Sequence, residues 1–279
     1  FEVLWRRLFD YKFYNLSGEV SAAWIWSRIR RIGRSRSDLF REKLGYIEGG
    51  SATLLNALRA AIEAGGGEIR LNAAAREIVI SGGRVEGLRL DHGTEPFGKV
   101  ISTIPLPYLP ALLPGLPDHV RARYAAVKNI AVACVIFKLA RPVTENFWVN
   151  VNDPDFEIPG VVEYSNLRPL GAHIVYVPFY MPAEHPHWQW KDDRFIATAL
   201  ACLRRINPAL TAADVMAARC HRYRHAQPVC TPGFLDRLPP VALSVTGLWA
   251  ADTSYYYPED RGIAESVAFG RAMAAMAAA

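Results

Sequence analysis

The C-terminal stretch of this sequence most constrains what the chain can fold into. A short apolar run at 244–250 is long enough for one buried strand, and it is followed at once by an acidic residue, Asp252. A polar loop comes next, and Glu259 and Asp260 stand just ahead of a segment rich in alanine and other small residues. We predict a helix there, whose first N–H groups have no partner inside the helix. This order of strand, acidic residue, loop and helix N-terminus predicts a binding site for an electron-rich group.

A second pattern lies in the first third of the chain. Two glycines, Gly49 and Gly50, precede a predicted helix that ends at a triple glycine at 65–67. The apolar face of that helix consists of Leu54, Leu55, Leu58 and Ile62. We expect a strand at 68–71, after which the chain passes Ala75.

Both stretches resemble one known family. The letters YPEDRGIAESVAFGRAMA look like the C-terminal flavin signature of the FAD-dependent amine oxidoreductase superfamily. The diglycine, helix and strand pattern is similar to a pattern of the same superfamily, which includes protoporphyrinogen oxidases, phytoene desaturases and monoamine oxidases. The segment KVISTIPLP resembles the family strand that returns to the cofactor domain and leaves it again.

The resemblance implies a set of cofactor-binding positions. Asp252 would meet the ribitol–pyrophosphate region of FAD, and the backbone of Arg261, Gly262 and Ile263 would face the pyrimidine edge of the flavin. The backbone around Ala75 would contact the adenine of the same cofactor.

Five further positions complete the implied cofactor site. Gly49 and Gly50 belong to the diglycine motif, and Thr103 and Pro105 would lie near the cofactor. Ala251 departs from the family pattern, which usually has glycine before the acid, and its methyl group would crowd a close approach of cofactor to backbone. We name no catalytic side chain, because flavin oxidoreductases often need none that ionises. We expect no metal site.

One element of the family pattern is missing from this sequence. Family members begin with a strand, a G-x-G-x-x-G turn and a helix, whose glycines let the backbone approach the pyrophosphate. The glycines at 65–67 follow a helix and have the wrong spacing, whereas Gly82, Gly83 and Gly87 fall in a predicted hairpin. We therefore expect the chain to be a fragment that by itself is inactive and does not retain FAD.

The expected fold class is α/β, and it combines two domains. Residues 43–107 and 244–279 are predicted to form an incomplete FAD-binding domain of the amine-oxidase type. Residues 1–42, which read as helical, and 108–243 are predicted to form an inserted substrate domain. Its expected strands are 130–139, 147–151, 161–164, 174–180 and 218–226, and its expected helix is 194–206. We also expect an antiparallel meander of strands at 78–80, 85–90 and 100–104.

Composition excludes several other classes of protein. About half of the 279 residues are hydrophobic, and the formal net charge is +5, so the chain is globular. A basic cluster between Arg28 and Arg41 is most simply a solvated helix face and loop, so we expect no nucleic-acid partner. No run approaches transmembrane length. Four cysteines without paired spacing indicate a reducing compartment, and we expect a cytoplasmic location. The oligomeric state does not follow from the sequence.

Histidines and cysteines near each other suggest no metal site. The cluster in question is Cys220, His221, His225 and Cys230. These residues lie in or beside a predicted strand, where neighbouring side chains point to opposite faces. His173, His185 and His187 are scattered and receive no role.

Three functions remain open. The leading hypothesis is an FAD-dependent oxidoreductase, similar to protoporphyrinogen oxidases or amine oxidases, that transfers a hydride from a small organic substrate to flavin. The second is a flavin isomerase of the UDP-galactopyranose mutase type. The third is a flavin-free binding or scaffold protein of the same fold.

Overall fold

The computed structural model describes residues 6–34 and 45–279 of the chain. The helices in these residues are α1 (Arg7–Phe13), α2 (Ala22–Arg34), α3 (Ser51–Ala64), α4 (Leu109–Leu112), α5 (Asp118–Ala125), α6 (Asp192–Ile206), α7 (Phe234–Arg237) and α8 (Ile263–Ala278). The strands are β1 (Glu77–Ser81), β2 (Arg84–Leu90), β3 (Gly93–Pro96), β4 (Val100–Ser102), β5 (Asn129–Leu139), β6 (Trp148–Asn150), β7 (Gly160–Glu163), β8 (His173–Met181), β9 (Val215–Pro228) and β10 (Leu248–Ala250). The fold is α/β.

The chain divides into two compact units. Unit 1 comprises Phe1–Val20 and Val127–Pro232, and unit 2 comprises Ser21–Ala126 and Gly233–Ala279. Each unit is therefore assembled from two separate stretches of the chain. The predicted segments 43–107 and 244–279 both fall in unit 2. The functional names given to the predicted domains stay predictions.

Unit 1 is built on an antiparallel five-stranded sheet with the order β6-β7-β8-β5-β9. Alternate residues of β5 point to opposite faces, and on one face Ala133, Val135 and Phe137 are fully buried. Opposite them on β8, Val175 and Val177 belong to the same core. The apolar side of α6, with Phe195, Ala199 and Leu203, packs into this core as well.

Unit 2 contains a smaller antiparallel meander with the order β1-β2-β3. Gly82 and Gly83 connect β1 to β2, with φ angles of +55° and +75°. Positive φ at both central residues of a two-residue hairpin fits a type I′ turn, which favours glycine. The hairpin prediction is confirmed, but the third strand is β3 at Gly93–Pro96, which the sequence analysis did not predict.

The prediction that 100–104 belongs to this meander is wrong. The shorter strand β4 pairs in parallel with β10, and Val100, Ile101 and Ser102 lie opposite Leu248, Trp249 and Ala250. Only part of the predicted apolar run at 244–250 is strand. Gly247 has φ of +86°, and a side chain at that position would collide with the carbonyl oxygen of Gly98. Glycine therefore permits the tight approach from which the parallel pair starts.

The predicted strand at 68–71 is also absent. The backbone of these residues is irregular, and among the described residues it pairs with no strand. A single extended segment leaves its backbone hydrogen-bonding groups to water unless a neighbouring strand pairs with them, so local apolar character alone does not produce a strand. Arg70 in this segment instead forms exposed ion pairs with Glu68 and Glu95.

Helix α3 lies on the surface of unit 2 and has no fully buried residue. Its apolar side chains Leu55, Leu58 and Ile62 are 64%, 46% and 45% exposed. Helix α8 buries Met273 and exposes Ile263 and Val267. Within the described residues, no helix is both long and apolar enough to cross a membrane.

Candidate functional site

Asp252 occupies a fixed position just beyond the parallel strand pair of unit 2. The hydrogen bonding between these two strands extends one residue beyond β10, because the N–H of Ala251 donates to the carbonyl oxygen of Ser102 at 3.0 Å. The Asp252 carboxylate then accepts two backbone hydrogen bonds, from Leu106 N–H at 2.7 Å and from Ser254 N–H at 2.8 Å. One oxygen faces each donor, so the carboxylate joins the chain after β4 to the chain after β10.

This geometry brings four predicted site residues together. Thr103 and Pro105 lie between Ser102 and Leu106, and Ala251 and Asp252 make the contacts to those two residues. Thr103 is exposed and Pro105 is half-buried. The methyl group of Ala251 lies inside the unit, where the residue is 2% exposed.

A short helical turn at Thr253–Tyr256 carries the chain away from Asp252. Tyr255 anchors this turn, because its hydroxyl donates to the carbonyl oxygen of Pro239 at 2.6 Å. Burial raises the pKa of Tyr255, and neighbouring Tyr124 and Asp252 raise it further. The phenol therefore stays protonated and keeps its donor role.

Helix α2 holds the loop that leads into α8. The hydroxyls of Ser21 and Tyr257 are 2.7 Å apart, and the Ser27 hydroxyl donates to the carbonyl oxygen of Pro258 at 2.6 Å. Arg28 forms an ion pair with Asp260, in which both side chains are less than one-fifth exposed.

The environment of Arg28 differs from the solvated helix face expected for the basic cluster. Its guanidinium lies 4.5 Å from the ring centroid of Trp24, and burial lowers the pKa of Arg28 while Asp260 opposes that shift. The expectation fails at Arg28, whereas Arg30 and Arg31 on the same helix are exposed as expected. We refer to Ser21, Ser27 and Arg28 with their loop contacts as the α2 clamp.

Helix α8 starts directly after the clamped loop. Gly262 is the residue that precedes its first turn, with extended φ and ψ of −113° and 159°, and no side chain caps the helix. The Ser266 hydroxyl donates to the carbonyl oxygen of Gly262 at 2.8 Å. The first amide N–H groups, which begin at Ile263, have no intrahelical acceptor. Arg261 and Ile263 are exposed at this end of the helix.

The remaining predicted residues lie on other elements of unit 2. Gly49 and Gly50 form a tight turn at the start of α3, with φ angles of +81° and +79°, and Gly50 N–H donates to the carbonyl oxygen of Ile47 at 2.7 Å. Ala75 is half-buried just ahead of β1. All ten predicted cofactor positions therefore fall in one unit, although on separate elements.

The donor and acceptor groups near Asp252 suit the flavin and ribitol part of FAD. Each carboxylate oxygen of Asp252 has accepted one hydrogen bond and keeps a lone pair for a ligand hydroxyl. The Ser254 hydroxyl is buried in the unit and has no hydrogen-bond partner among the described residues. The start of α8 adds backbone N–H donors. The pyrophosphate of FAD has no such matching site in this sequence, which contains no G-x-G-x-x-G turn to bind it.

The α2 clamp was missed in the sequence. Each contact spans more than two hundred positions, which no local pattern reveals. The signals that did exist were the acid at Asp260, ahead of a helix, and an arginine on the same helix face as Trp24. The described residues hold no cluster of three or more histidine, cysteine or acidic side chains arranged to bind a metal ion.

Three solved structures are similar in fold to this chain. A protein from Exiguobacterium sp. 255-15, assigned as a candidate protoporphyrinogen oxidase, has a similar structure, with a TM-score of 0.64 and 21% identity over 81% of this chain. An oxidoreductase from Methanosarcina mazei gives a TM-score of 0.65 and 19% identity over 90% of this chain. A reduced UDP-galactopyranose mutase gives 0.59 and 14% over 83%. These likenesses show the fold.

The chain spans only part of the length of each of these three proteins. The chain covers 50%, 60% and 54% of their respective lengths. Among curated proteins, no sequence matches this chain significantly. The family model described as flavin containing amine oxidoreductase matches residues 2–233. Because that match spans most of the sequence, this chain belongs to the flavin containing amine oxidoreductase family.

Proposed function

We propose that this chain supplies the flavin-facing and substrate-binding parts of an FAD-dependent oxidoreductase. The observation that carries the proposal is the position of Asp252, held by two backbone donors between a parallel strand pair and the start of α8. When bound, FAD would accept a hydride from a C–H or C–N bond of an organic substrate.

Unit 2 residues would hold and orient the flavin. Asp252 would accept hydrogen bonds from ribitol hydroxyls, since its remaining lone pairs suit an alcohol donor. The N–H groups at the start of α8, near Arg261, Gly262 and Ile263, would donate to the carbonyl side of the flavin ring. The α2 clamp keeps the loop before α8 in place, so these donors need little reorganisation on binding.

Unit 1 would bind the substrate. One face of its sheet is packed into the core, and the other carries half-buried side chains, among them Ile136, Tyr176 and Tyr180. A mostly apolar surface with a few phenol hydroxyls is typical of small-molecule sites. A small organic substrate, a cytoplasmic location and the predicted domain boundaries all stay predictions.

The affinity for FAD depends on how its pyrophosphate is held. The pyrophosphate carries most of the charge of FAD, and the glycine turn that would neutralise it is not in this sequence. We therefore expect these 279 residues alone to bind FAD weakly and below one equivalent. Calorimetric titration with FAD measures this, and tight one-to-one binding would show that the affinity comes from elsewhere.

The decisive test uses the protein expressed with any coding sequence that precedes Phe1. Purified wild type should be yellow, Asp252→Ala should lose most of its flavin, and the matched control Asp236→Ala should keep it. Asp236 is exposed and lies in the same unit, so it reports the general effect of removing an acid. Equal flavin content in the two variants would remove Asp252 from the site.

The other two functions predict different observations. A mutase-type isomerase would need its flavin reduced by NAD(P)H, yet would show no net oxidation of substrate. The likeness to the reduced UDP-galactopyranose mutase supports the oxidoreductase and the isomerase equally, because it concerns the fold. A flavin-free protein would be colourless even when expressed with all native sequence.

A further inference from the structure

A cleft of about 480 Å³ opens at one end of the sheet in unit 1. It lies where β5 ends at Leu139, where β8 begins at His173 and where β9 passes Met216. A loop that includes Ser165 and Leu170 forms the remaining wall. The volume is within the range of small-molecule sites, which is roughly 300–1,000 Å³. None of the predicted flavin positions belongs to this unit.

A buried carboxylate lies behind this cleft. Glu163 ends β7 and has no exposed surface. It accepts hydrogen bonds from the backbone N–H groups of Val143, at 3.1 and 3.3 Å, and of Thr144, at 2.8 Å. A charged group so far from water is retained only when donors or cations compensate it.

His173 connects the carboxylate to the cleft. Its Nδ1 lies 3.4 Å from Oε1 of Glu163, whereas one-third of its side chain is exposed. Since Nδ1 faces the buried carboxylate, the opposite side of the ring, with Nε2, is the part available to the cleft. A proton on Nδ1 would lie beside this carboxylate, and Nε2 is the ring nitrogen that remains to donate to a ligand.

Two lining residues have polar side chains that can donate to a ligand, Ser165 and His173. The Ser165 hydroxyl oxygen accepts a hydrogen bond from Ile174 N–H at 3.1 Å, which leaves its own proton for a ligand. His173 is the one titratable side chain among the lining residues. The walls are mostly apolar, and Leu170 and Met216 are 44% and 58% exposed.

Three charged residues near the cleft have contacts of their own, and one of them is Arg168, on the loop between Ser165 and Pro169. Arg141 and Asp214, which lie next to the end of β5, pair with each other at 2.8 Å. Lys138 directly precedes the lining residue Leu139 on β5, so its side chain points to the opposite face of the strand. Glu163 is a charged group in direct contact with His173, and its side chain is enclosed.

We propose that this cleft binds a short-chain monocarboxylate. The carboxylate would accept hydrogen bonds from His173 Nε2–H and the Ser165 hydroxyl, and the alkyl chain would contact Leu170 and Met216. In this complex each imidazole nitrogen of His173 carries a proton, with Nδ1 beside Glu163 and Nε2 towards the ligand. The site does not depend on flavin.

Sodium hexanoate is the probe, and the 279-residue chain is the protein. Calorimetry or saturation-transfer NMR at pH 6 should detect binding with a Kd on the order of 1 mM. Hexanol, which has the same chain and no charge, should bind at least about tenfold more weakly than hexanoate at pH 6.

Two pairs of variants locate the site. His173→Gln should weaken hexanoate binding at least about tenfold, whereas His221→Gln, an exposed histidine of the same unit, should leave it unchanged. Leu170→Glu places a repelling charge in the cleft and should abolish binding, whereas the neutral Leu170→Gln should stay within about threefold of wild type. Leu170 is exposed, so neither substitution disturbs the core.

Several outcomes would overturn the proposal. It fails if folded wild type does not bind hexanoate at about 20 mM, well above the expected Kd. It also fails if Leu170→Glu binds as well as Leu170→Gln, or if hexanol binds as tightly as hexanoate. The Leu170 pair decides the question even if His173→Gln does not fold.

Discussion

The carboxylate of Asp252 accepts a hydrogen bond from the backbone N–H of Leu106, which lies 146 positions earlier in the chain and 2.7 Å away. The second oxygen accepts from Ser254 N–H. Asp252 therefore stabilises the fold of unit 2 whether or not a cofactor is bound. Its structural role can be measured on the flavin-free chain, separately from its proposed role in cofactor binding.

Asp252→Ala should lower the stability of the chain without flavin. Two partly buried backbone donors lose a charged acceptor, and each such hydrogen bond contributes about 1.5–3 kcal/mol. With some water replacing the carboxylate, we expect a net loss of roughly 2–4 kcal/mol in the free energy of unfolding. Urea denaturation measures it. Asp236→Ala should stay within about 0.5 kcal/mol of wild type, and an equal loss in both variants would contradict the structural role.

Arg28→Ala should destabilise unit 2 by roughly 2 kcal/mol, because it removes the less exposed of two arginines that pair with Asp260 and leaves Arg261, at 3.8 Å, as a weaker partner. A double-mutant cycle with Asp260→Ala isolates the pair. We expect the double variant to lose less than the sum of the two single variants, with a coupling energy of at least about 1 kcal/mol. Additive losses would show that the ion pair contributes no specific coupling. Arg30→Ala, at an exposed position of the same helix, is the control.

Unit 1 should lose stability at low pH, where the Asp214 carboxylate becomes protonated. Hydrogen bonds from the Thr211 hydroxyl and N–H, and then from Arg141, lower the pKa of Asp214 to about 2. A lowered pKa in the folded state contributes stability that is present above the ordinary value near 4 and is lost as the pH falls towards about 2.

Asp214→Asn should therefore melt below wild type at pH 6, and the difference in Tm should narrow as the pH falls from about 5 to about 2. Thermal denaturation across that range tests the sign. Asp236→Asn serves as the control, since Asp236 is exposed. A Tm difference that stays constant over the range would contradict the role of the Asp214 carboxylate.

The apolar face of α3 should promote association of the isolated chain. Leu55 and Leu58 are exposed there, and a contiguous apolar surface of this kind favours self-association. The double variant Leu55→Glu/Leu58→Glu should bind less of a hydrophobic dye and elute more fully as monomer, with its free energy of unfolding within about 1 kcal/mol of wild type. Arg59→Glu changes charge on the same helix without removing apolar surface, and it should not reduce dye binding.

Regular, locally encoded elements were predictable from the sequence. The strands of the unit 1 sheet and the helix α6 lie within a few residues of their predicted bounds, because alternation and helical spacing are local patterns. The glycine pair at Gly82 and Gly83 similarly predicted the first hairpin. The strand–acid–helix order around Asp252 also appears as predicted.

Pairings between distant segments were not predictable. The residues at 100–102 are compatible with an antiparallel meander and with a parallel pair. The pairing with β10, a strand distant in sequence, determines which of the two forms. The segment at 68–71 reads as a strand but lacks a neighbour among the described residues. The burial of Arg28 within the basic cluster was not predictable either. The sequence shows that the residue is charged, but it does not show that Asp260, 232 positions later, will pair with it.

The pairing of β4 with β10 has a consequence for how the protein is made. A ribosome releases Val100–Ser102 long before it has translated Leu248–Ala250, so β4 must wait for its partner while residues 103–247 emerge. The loop that must close is long, and contacts of high sequence separation form slowly. Asp252 can therefore reach Leu106 only after the 146 positions that separate them have been translated. A premature stop codon before that point would erase this site, even in a product whose unit 1 sheet was complete.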